Sequence, residues 1–426
     1  MSSPSRSLLR HPDFLKLWSA ETISQVGTQV SLLAIPLVAI NILDASPFEV
    51  GLLGTIEFLP FILFALPAGA WVDRLRRRPI LVGADLGRAV SLASIPIAFV
   101  FDALTIWQLY VVGFVNGVMT VFFDVAYQSY LPSLVERDQI VEGNSKLETS
   151  RSIAQIGGPG IGGVLVGLVT TPLAILVDAI SFVGSALFVF AIRKHEPAPD
   201  RHRDEHGRAR GSMRVEVADG LRYVVGHPYL RSIAAATGWS NLFGTMAFAI
   251  VLVYYVRTLG LGPETIGFVF ALGNAGTLVG ALVAGRIGRR VGVGPAIVGS
   301  MAASGPGILL LGLAPVEAPL PFLVASGFVF GFCALVYNIN QVSFRQAVTP
   351  TAMQGRMNAT MRFIVWGTIP VGMMLGGFLG GAIGLRETIL IGGIGSLFAF
   401  VPLLIGPLRH LREMPEPVDE AVASAA

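Results

Sequence analysis

Twelve apolar runs divide this 426-residue chain, each long enough to cross a hydrocarbon core of about 30 Å at about 1.5 Å per residue. They span approximately 14–43, 48–72, 79–101, 104–130, 146–169, 172–192, 228–256, 263–285, 292–313, 319–344, 352–380 and 385–408. Most connections are short. The exception, 193–227, is polar, rich in Arg, Asp, His and Pro, and reads as a linker between two halves. The expected architecture is an all-α polytopic membrane protein of twelve transmembrane helices in two pseudo-symmetric six-helix halves. The predicted domains are a bundle over 1–192, a cytoplasmic linker over 193–227, a second bundle over 228–408 and a cytoplasmic tail over 409–426.

Composition agrees. Charged residues make up 13% of the chain, where a soluble domain carries roughly a quarter, so most of the surface faces something other than water. Fifty glycines suit helices packed closely through small residues. The pI near 9.2 does not imply nucleic acid, because the arginines cluster between apolar runs. The single Cys333 excludes an internal disulfide. Residues 1–16 are polar and basic, and the following apolar run is too long for a signal peptide, so the first span is read as uncleaved.

A basic hairpin occurs twice. Gly69-Ala-Trp-Val-Asp73-Arg74-Leu-Arg76-Arg77-Arg78 is echoed 212 residues later by Gly285-Arg286-Ile-Gly288-Arg289-Arg290, with Gly285 in the place of Asp73. Asn144 and Asn358, and Gly162-Gly163 and Gly376-Gly377, share an offset of 214. The halves therefore read as parallel repeats. The even-numbered connections and the termini hold 24 of the 30 Lys and Arg residues, and the odd-numbered connections hold Arg257 and Arg386. That split predicts a cytoplasmic location for both termini and the linker.

Ionisable groups inside such spans cost several kcal/mol and are functional candidates by default. Polar residues recur at helical spacing on the first span of each triplet: Glu21, Gln25, Thr28 and Gln29; Asn116, Thr120 and Asp124; Thr237, Asn241 and Thr245; Asn338, Gln341 and Arg345. Steps of three and four put each set on one face. Four such faces are expected to line one aqueous cavity, with Phe58, Phe61 and Tyr337 as further substrate candidates. The competing reading is that these residues glue helices together. Glu57, between Ile56 and Phe58, is a proton-coupling candidate, since a carboxyl there can be neutral when dry and charged when wet. Glu21 and Asp178 make the same case less directly, and a structural hydrogen bond is the alternative for each. Asp85 with Arg88, and Glu148 with Arg151, are i,i+3 pairs that read as local ion pairs or as a gating network with Asp73.

At these residues the chain resembles the major facilitator superfamily over essentially its whole length. Gly69, Asp73, Arg74 and Arg78 resemble its loop 2–3 signature, with Arg76 where a Gly is usual, and imply a conformational latch. Gly158-Pro159-Gly160-Ile161-Gly162-Gly163 resembles the glycine core of its antiporters, with Ala154 where a further Gly is expected. Phe123-Asp124, Leu131-Pro132, Asn144, Val177-Asp178-Ala-Ile-Ser-Phe182 and Gly355-Arg356-Met-Asn358 resemble the branch of enterobactin exporters and macrolide-efflux pumps. The arginine that drug antiporters carry in span four is replaced by Gly113, so coupling would rest on Glu57 or Glu21.

The resemblance implies a monomeric secondary transporter of a bacterial cytoplasmic membrane. It would export an amphiphilic small molecule in exchange for protons, with the lipid bilayer as its other partner. It would use no cofactor, metal or nucleic acid and would not be an enzyme. A nutrient importer or facilitator is the alternative within this class. A non-transporting sensor or scaffold is the alternative outside it, and would require an appended domain.

Overall fold

The computed structural model describes residues 8–72, 75–136, 139–194, 196 and 213–413. In chain order the helices are α1 (Pro12–Asn41), α2 (Pro47–Val72), α3 (Arg77–Val100), α4 (Ile106–Leu134), α5 (Ile140–Leu168), α6 (Thr171–Phe190), α7 (Met213–Gly226), α8 (Pro228–Phe248), α9 (Val251–Val253), α10 (Pro263–Val291), α11 (Val293–Gly312), α12 (Leu320–Ala347), α13 (Thr351–Ala382), α14 (Leu385–Leu397) and α15 (Val401–Ile405). No strand occurs among the described residues.

Eleven membrane spans are long and apolar enough by themselves. The remaining predicted span, the fifth, is α5, a continuous helix of 29 residues. Glu142, Lys146, Glu148 and Arg151 in its first half and the glycines of its second half hold its hydropathy down.

Two spans are broken. The seventh consists of α8, the short α9 and a π-helical turn over Tyr254–Thr258. The twelfth breaks between α14 and α15. The segment read as a linker contains α7, whose Val224 is buried and whose Tyr223 hydroxyl donates to the Val348 carbonyl at 3.3 Å.

Local sequence explains the helix starts. Pro12 opens α1 behind His11, whose Nδ1 accepts from the Phe14 amide at 3.1 Å. Ser46 and Glu49 form a reciprocal capping box on α2: the Ser46 amide donates to Glu49 Oε2 at 2.7 Å, and the Glu49 amide donates to Ser46 Oγ at 3.3 Å. The start of α3 lacks a cap from its own N-cap residue. The carboxylate of Glu196 supplies it, accepting from the Arg77 amide at 2.7 Å and the Arg78 amide at 3.2 Å. Asp13 holds the same returning segment through the amides of Arg193 (3.2 Å) and Lys194 (2.9 Å).

The helices form two compact units. Unit 1 is Met1–Arg203 with Leu261–Ala271, and unit 2 is Asp204–Gly260 with Leu272–Ala426. In unit 1, α1 packs on α5 and α6, α3 on α4 and α6, and α2 on α4. In unit 2, α11 packs on α12 and α14, and α8 on α13 and α14. One buried cluster in unit 1 gathers Phe14, Leu81, Phe123, Tyr130 and Leu147; one in unit 2 gathers Ile233, Ile297, Tyr337, Phe344 and Met361.

Candidate functional site

Small residues set the spacing of unit 1. On α4, Gly113 and Gly117 are one turn apart and face α2. A Cβ at Gly117 would lie 2.6 Å from the Glu57 carbonyl, and one at Gly113 would lie 2.8 Å from Glu57 Cγ. On α1, a Cβ at Gly27 would lie 2.5 Å from Asp178 Oδ1 on α6. Glycine at these positions lets neighbouring helices approach closely enough for their polar side chains to meet.

Arg88 on α3 is the hub. It pairs with Asp85 one turn earlier, and both are buried, at 5% and 0% exposure. Its guanidinium lies between two rings, 4.4 Å from the Phe123 centroid on α4 and 4.1 Å from the Phe182 centroid on α6. A planar cation between two aromatic faces is held by cation–π attraction, about 2 kcal/mol or more when desolvated. Nε of Arg88 and Oδ2 of Asp85 have no hydrogen-bond partner among the described residues.

Three more carboxylates lie within electrostatic reach of Arg88. Glu21 on α1 is buried; its Oε1 accepts from Gln25 Nε2 at 2.7 Å, and its Oε2 has no partner among the described residues. Asp178 on α6 is buried and accepts from Ser181 Oγ at 3.1 Å. Asp124, next to Phe123, is exposed. Desolvated charge of this kind is stable only when paired, and here one buried guanidinium serves three buried carboxylates, Asp85, Glu21 and Asp178.

Glu57 stands apart from that network. It is half-buried on α2 and makes no side-chain hydrogen bond or ion pair with a described residue. Its neighbour Thr55 bonds instead to the Gly51 carbonyl at 2.9 Å. The Glu57 stem occupies the space beside Gly113, so the missing side chain at 113 is what admits the carboxyl. Phe58 and Phe61 follow it on α2, stacked with centroids 5.5 Å apart.

The remaining predicted residues are distributed as follows. Gln29 packs against Gly158, and Gly162 lies against the Val30 backbone, so these glycines close α5 on α1. Pro159 is buried between them, with its carbonyl beside Gly267. Gly163 faces Gly267 at the start of α10, where a Cβ would lie 2.8 Å from the Gly267 Cα. Asn116 is half-buried with Oδ1 unpartnered among the described residues, and Thr120 bonds to its carbonyl at 2.8 Å. Gly69 ends α2 with open space around it. Arg78 lies over the Phe190 ring at 5.4 Å and donates to the Phe190 carbonyl. Glu148 and Arg151 are exposed on α5, and no ion pair joins them. Asp73 and Arg74 lie outside the described residues.

In unit 2 most of the predicted polar residues bond to their neighbours, while Gln341 Oε1 and Arg345 Nε have no hydrogen-bond partner among the described residues. Asn241 Nδ2 donates to the Val365 carbonyl at 3.0 Å, and Thr245 donates to the Asn241 and Ile369 carbonyls at 2.6 and 3.3 Å. Tyr337 and Thr237 share a hydroxyl pair at 2.6 Å. Gln341 donates to Asn338 at 3.0 Å, and Asn338 is exposed.

Sequence reasoning did not assign Phe123 and Phe182 to Arg88, although both stand in the segments it singled out. It missed Glu196 altogether, because a lone acid beyond the last apolar run carries no periodic signal.

The profile of the family described as "Transmembrane secretion effector" matches residues 3–423. The chain is similar to the multidrug efflux pump Tap of Mycolicibacterium fortuitum, at 29% identity over 95% of this chain and 97% of that one. It is 25% identical to the enterobactin exporter EntS of Escherichia coli, over 97% of this chain and 96% of that one. Among solved structures, a bacterial homologue of the iron transporter ferroportin in an inward-facing state superposes with a TM-score of 0.73 at 15% identity, covering 94% of this chain and 99% of that one. The nucleoside transporter NupG superposes with a TM-score of 0.71 at 14% identity, covering 92% and 98%. These likenesses show the fold. With twelve predicted spans, two helical units and a profile match over nearly its whole length, the chain belongs to the transmembrane secretion effectors, membrane transporters of the major facilitator superfamily.

Proposed function

We propose that this transporter exports an amphiphilic small molecule in exchange for protons, by rocking of its two six-helix halves around a midplane cavity. The observation that carries this reading is Glu57. It is a carboxyl without a hydrogen-bond or ion-pair partner among the described residues, on a span otherwise lined by Phe58, Phe61 and Phe64. Such a group can take a proton when dry and release it when wet, and so tie proton movement to the exchange between states. Glu21, with one oxygen unpartnered, is the second proton candidate, and Asp178 the third.

The outward direction is supported by the relatives, a multidrug efflux pump and an enterobactin exporter. The exporter reading places both termini in the cytoplasm, following the 24-to-2 division of basic residues. Asp73 and Arg74, with Arg78, Asp85 and Arg88, form the proposed latch on that side.

The test is a transport panel of dyes, macrolides, tetracyclines and siderophores in proteoliposomes, with and without a proton gradient. Outward substrate movement that collapses with the gradient supports the reading. Equilibration that ignores the gradient sinks antiport, and uptake driven by it reverses the direction.

A further inference from the structure

A pocket of about 490 Å³ opens in unit 1 where α3 begins and α6 ends. Its lining divides into two chemistries. Arg76, Arg78, Arg193 and Lys194 contribute four cations, and Pro79, Val82, Gly83 and Phe190 contribute an apolar floor. The single carboxylate, Glu196, is 7% exposed and already engaged: it accepts from the Arg77 and Arg78 amides and pairs with the Arg77 side chain at 3.4 Å.

Two of the cations are also committed in part. Arg78 donates to the Phe190 carbonyl, and Lys194 Nζ donates to the Leu134 carbonyl at 2.9 Å. The side chains of Arg76 and Arg193 are exposed and have no partner among the described residues. Among the described residues the pocket thus holds an excess of positive charge at the boundary of two spans that end at Phe190 and begin at Arg77.

The apolar floor continues onto the outer faces of both helices. On α6, Ile180 (62% exposed), Val183, Leu187 and Phe190 form one stripe; on α3, Gly83, Leu86 and Val90 do the same. A Cβ at Gly83 would meet nothing within 4 Å, so this lining position of the α3 wall opens onto free space, a notch beside the cations that line the same pocket. A soluble anion needs only the cations. A ligand with an anionic head and a hydrocarbon tail uses the cations, the notch and the stripe together.

We infer that this pocket binds the headgroup phosphate of an anionic phospholipid, with Arg76 and Arg193 as its principal ligands and one acyl chain lying along the α6 stripe. Basic pockets at span ends attract anionic headgroups electrostatically, and planar guanidinium groups match phosphate oxygens two at a time. The site does not depend on the exporter reading. The proposed orientation decides only that the lipid belongs to the cytoplasmic leaflet.

The experiment is native mass spectrometry of the full chain, released from micelles doped with phosphatidylglycerol or phosphatidylcholine. The expected result is retention of phosphatidylglycerol but not phosphatidylcholine. The double substitution Arg76→Gln/Arg193→Gln should weaken that retention roughly thirtyfold, the contribution of two basic side chains at an anionic surface. Gly83→Phe, which fills the notch and leaves every charge in place, should also evict the lipid. Arg286→Gln/Arg290→Gln, which removes two exposed arginines from unit 2, should leave retention unchanged. Monodisperse elution of each variant checks folding. Equal loss in the unit 2 control, or full retention in both pocket variants, overturns the site. Displacement by millimolar inorganic phosphate overturns the lipid assignment in favour of a free anion.

Discussion

Unit 1 and unit 2 are built from the same six-span repeat but handle polarity differently. Inside its spans unit 1 carries Glu21, Glu57, Asp85, Arg88, Asp124 and Asp178. Between Pro228 and His410 the chain has only three carboxylates, Glu264, Glu317 and Glu387, each in a loop or at the first turn of a helix. The polar stripe of α8 bonds mostly to backbone carbonyls, including those of α13. The first half keeps carboxylates deep within its spans; the second keeps none beyond the first turn of a helix, and there the arginines Arg345 and Arg362 stand beside neutral groups that fasten helices. The two halves share a six-span plan, and the carboxylates deep within spans stand in the first.

The sharpest way to break this comparison is Glu57→Gln. It should abolish gradient-driven efflux while leaving thermal stability unchanged, because the carboxyl makes no hydrogen bond to a described residue that the amide would lose. Wild-type efflux by this variant would remove Glu57 from the coupling scheme. Arg88→Met should come next, by destabilising the protein. It leaves Asp85 buried without its cation, at a cost of about 3–5 kcal/mol. Detergent-phase thermal unfolding should show the drop, and the double variant Arg88→Met/Asp85→Asn should recover much of it. An additive double variant would mean the pair is not coupled.

Gly113→Leu tests packing rather than charge. The new side chain meets Glu57 Cγ and should cost about 1–3 kcal/mol in stability. Asn241→Ala in unit 2 should cost only about 0.6 kcal/mol, the usual value of an interhelical hydrogen bond in a membrane, and should spare transport. A transport defect there larger than that of Glu21→Gln would reverse the contrast between the units.

The smallest effect is at His227, in the connection between α7 and α8. Burial lowers its pKa below the ordinary value of 6.5. The unfolded chain therefore binds the proton more readily than the folded one. Stability is unaffected above that value and declines as pH falls through it. His227→Phe should flatten the acid side of a melting-temperature profile between pH 7.5 and 5.5.

Much of the fold was legible because hydrocarbon imposes a period and a length. Even α5, whose glycines and charges dilute its hydropathy, could be placed by its repeat offset to α13. The breaks at Ala249 and Phe398 were not legible, since both fall inside unbroken apolar runs. Helix α7 was hidden because its segment is polar, and the burial of its Val224 depends on packing against α8 and α13. At the site, i,i+3 spacing picked out Asp85 with Arg88 and picked out Glu148 with Arg151 equally well. Only the first pair forms an ion pair, because α4 and α6 bury it between Phe123 and Phe182, and sequence spacing does not report which face of a helix is covered. On the polar stripes Asn241 and Thr245 fasten helices, and Glu21 Oε2 has no partner among the described residues, a difference that spacing does not report.

The cap that Glu196 places on α3 has a practical consequence for dissecting the molecule. The last span of the first half ends at Phe190, and a cut there looks natural on a hydropathy plot. Such a fragment would lose the Arg193 and Lys194 amides that Asp13 holds, and the carboxylate that caps the start of α3. Any attempt to produce the first six helices alone, or to split the gene for complementation, should keep the chain intact through Glu196.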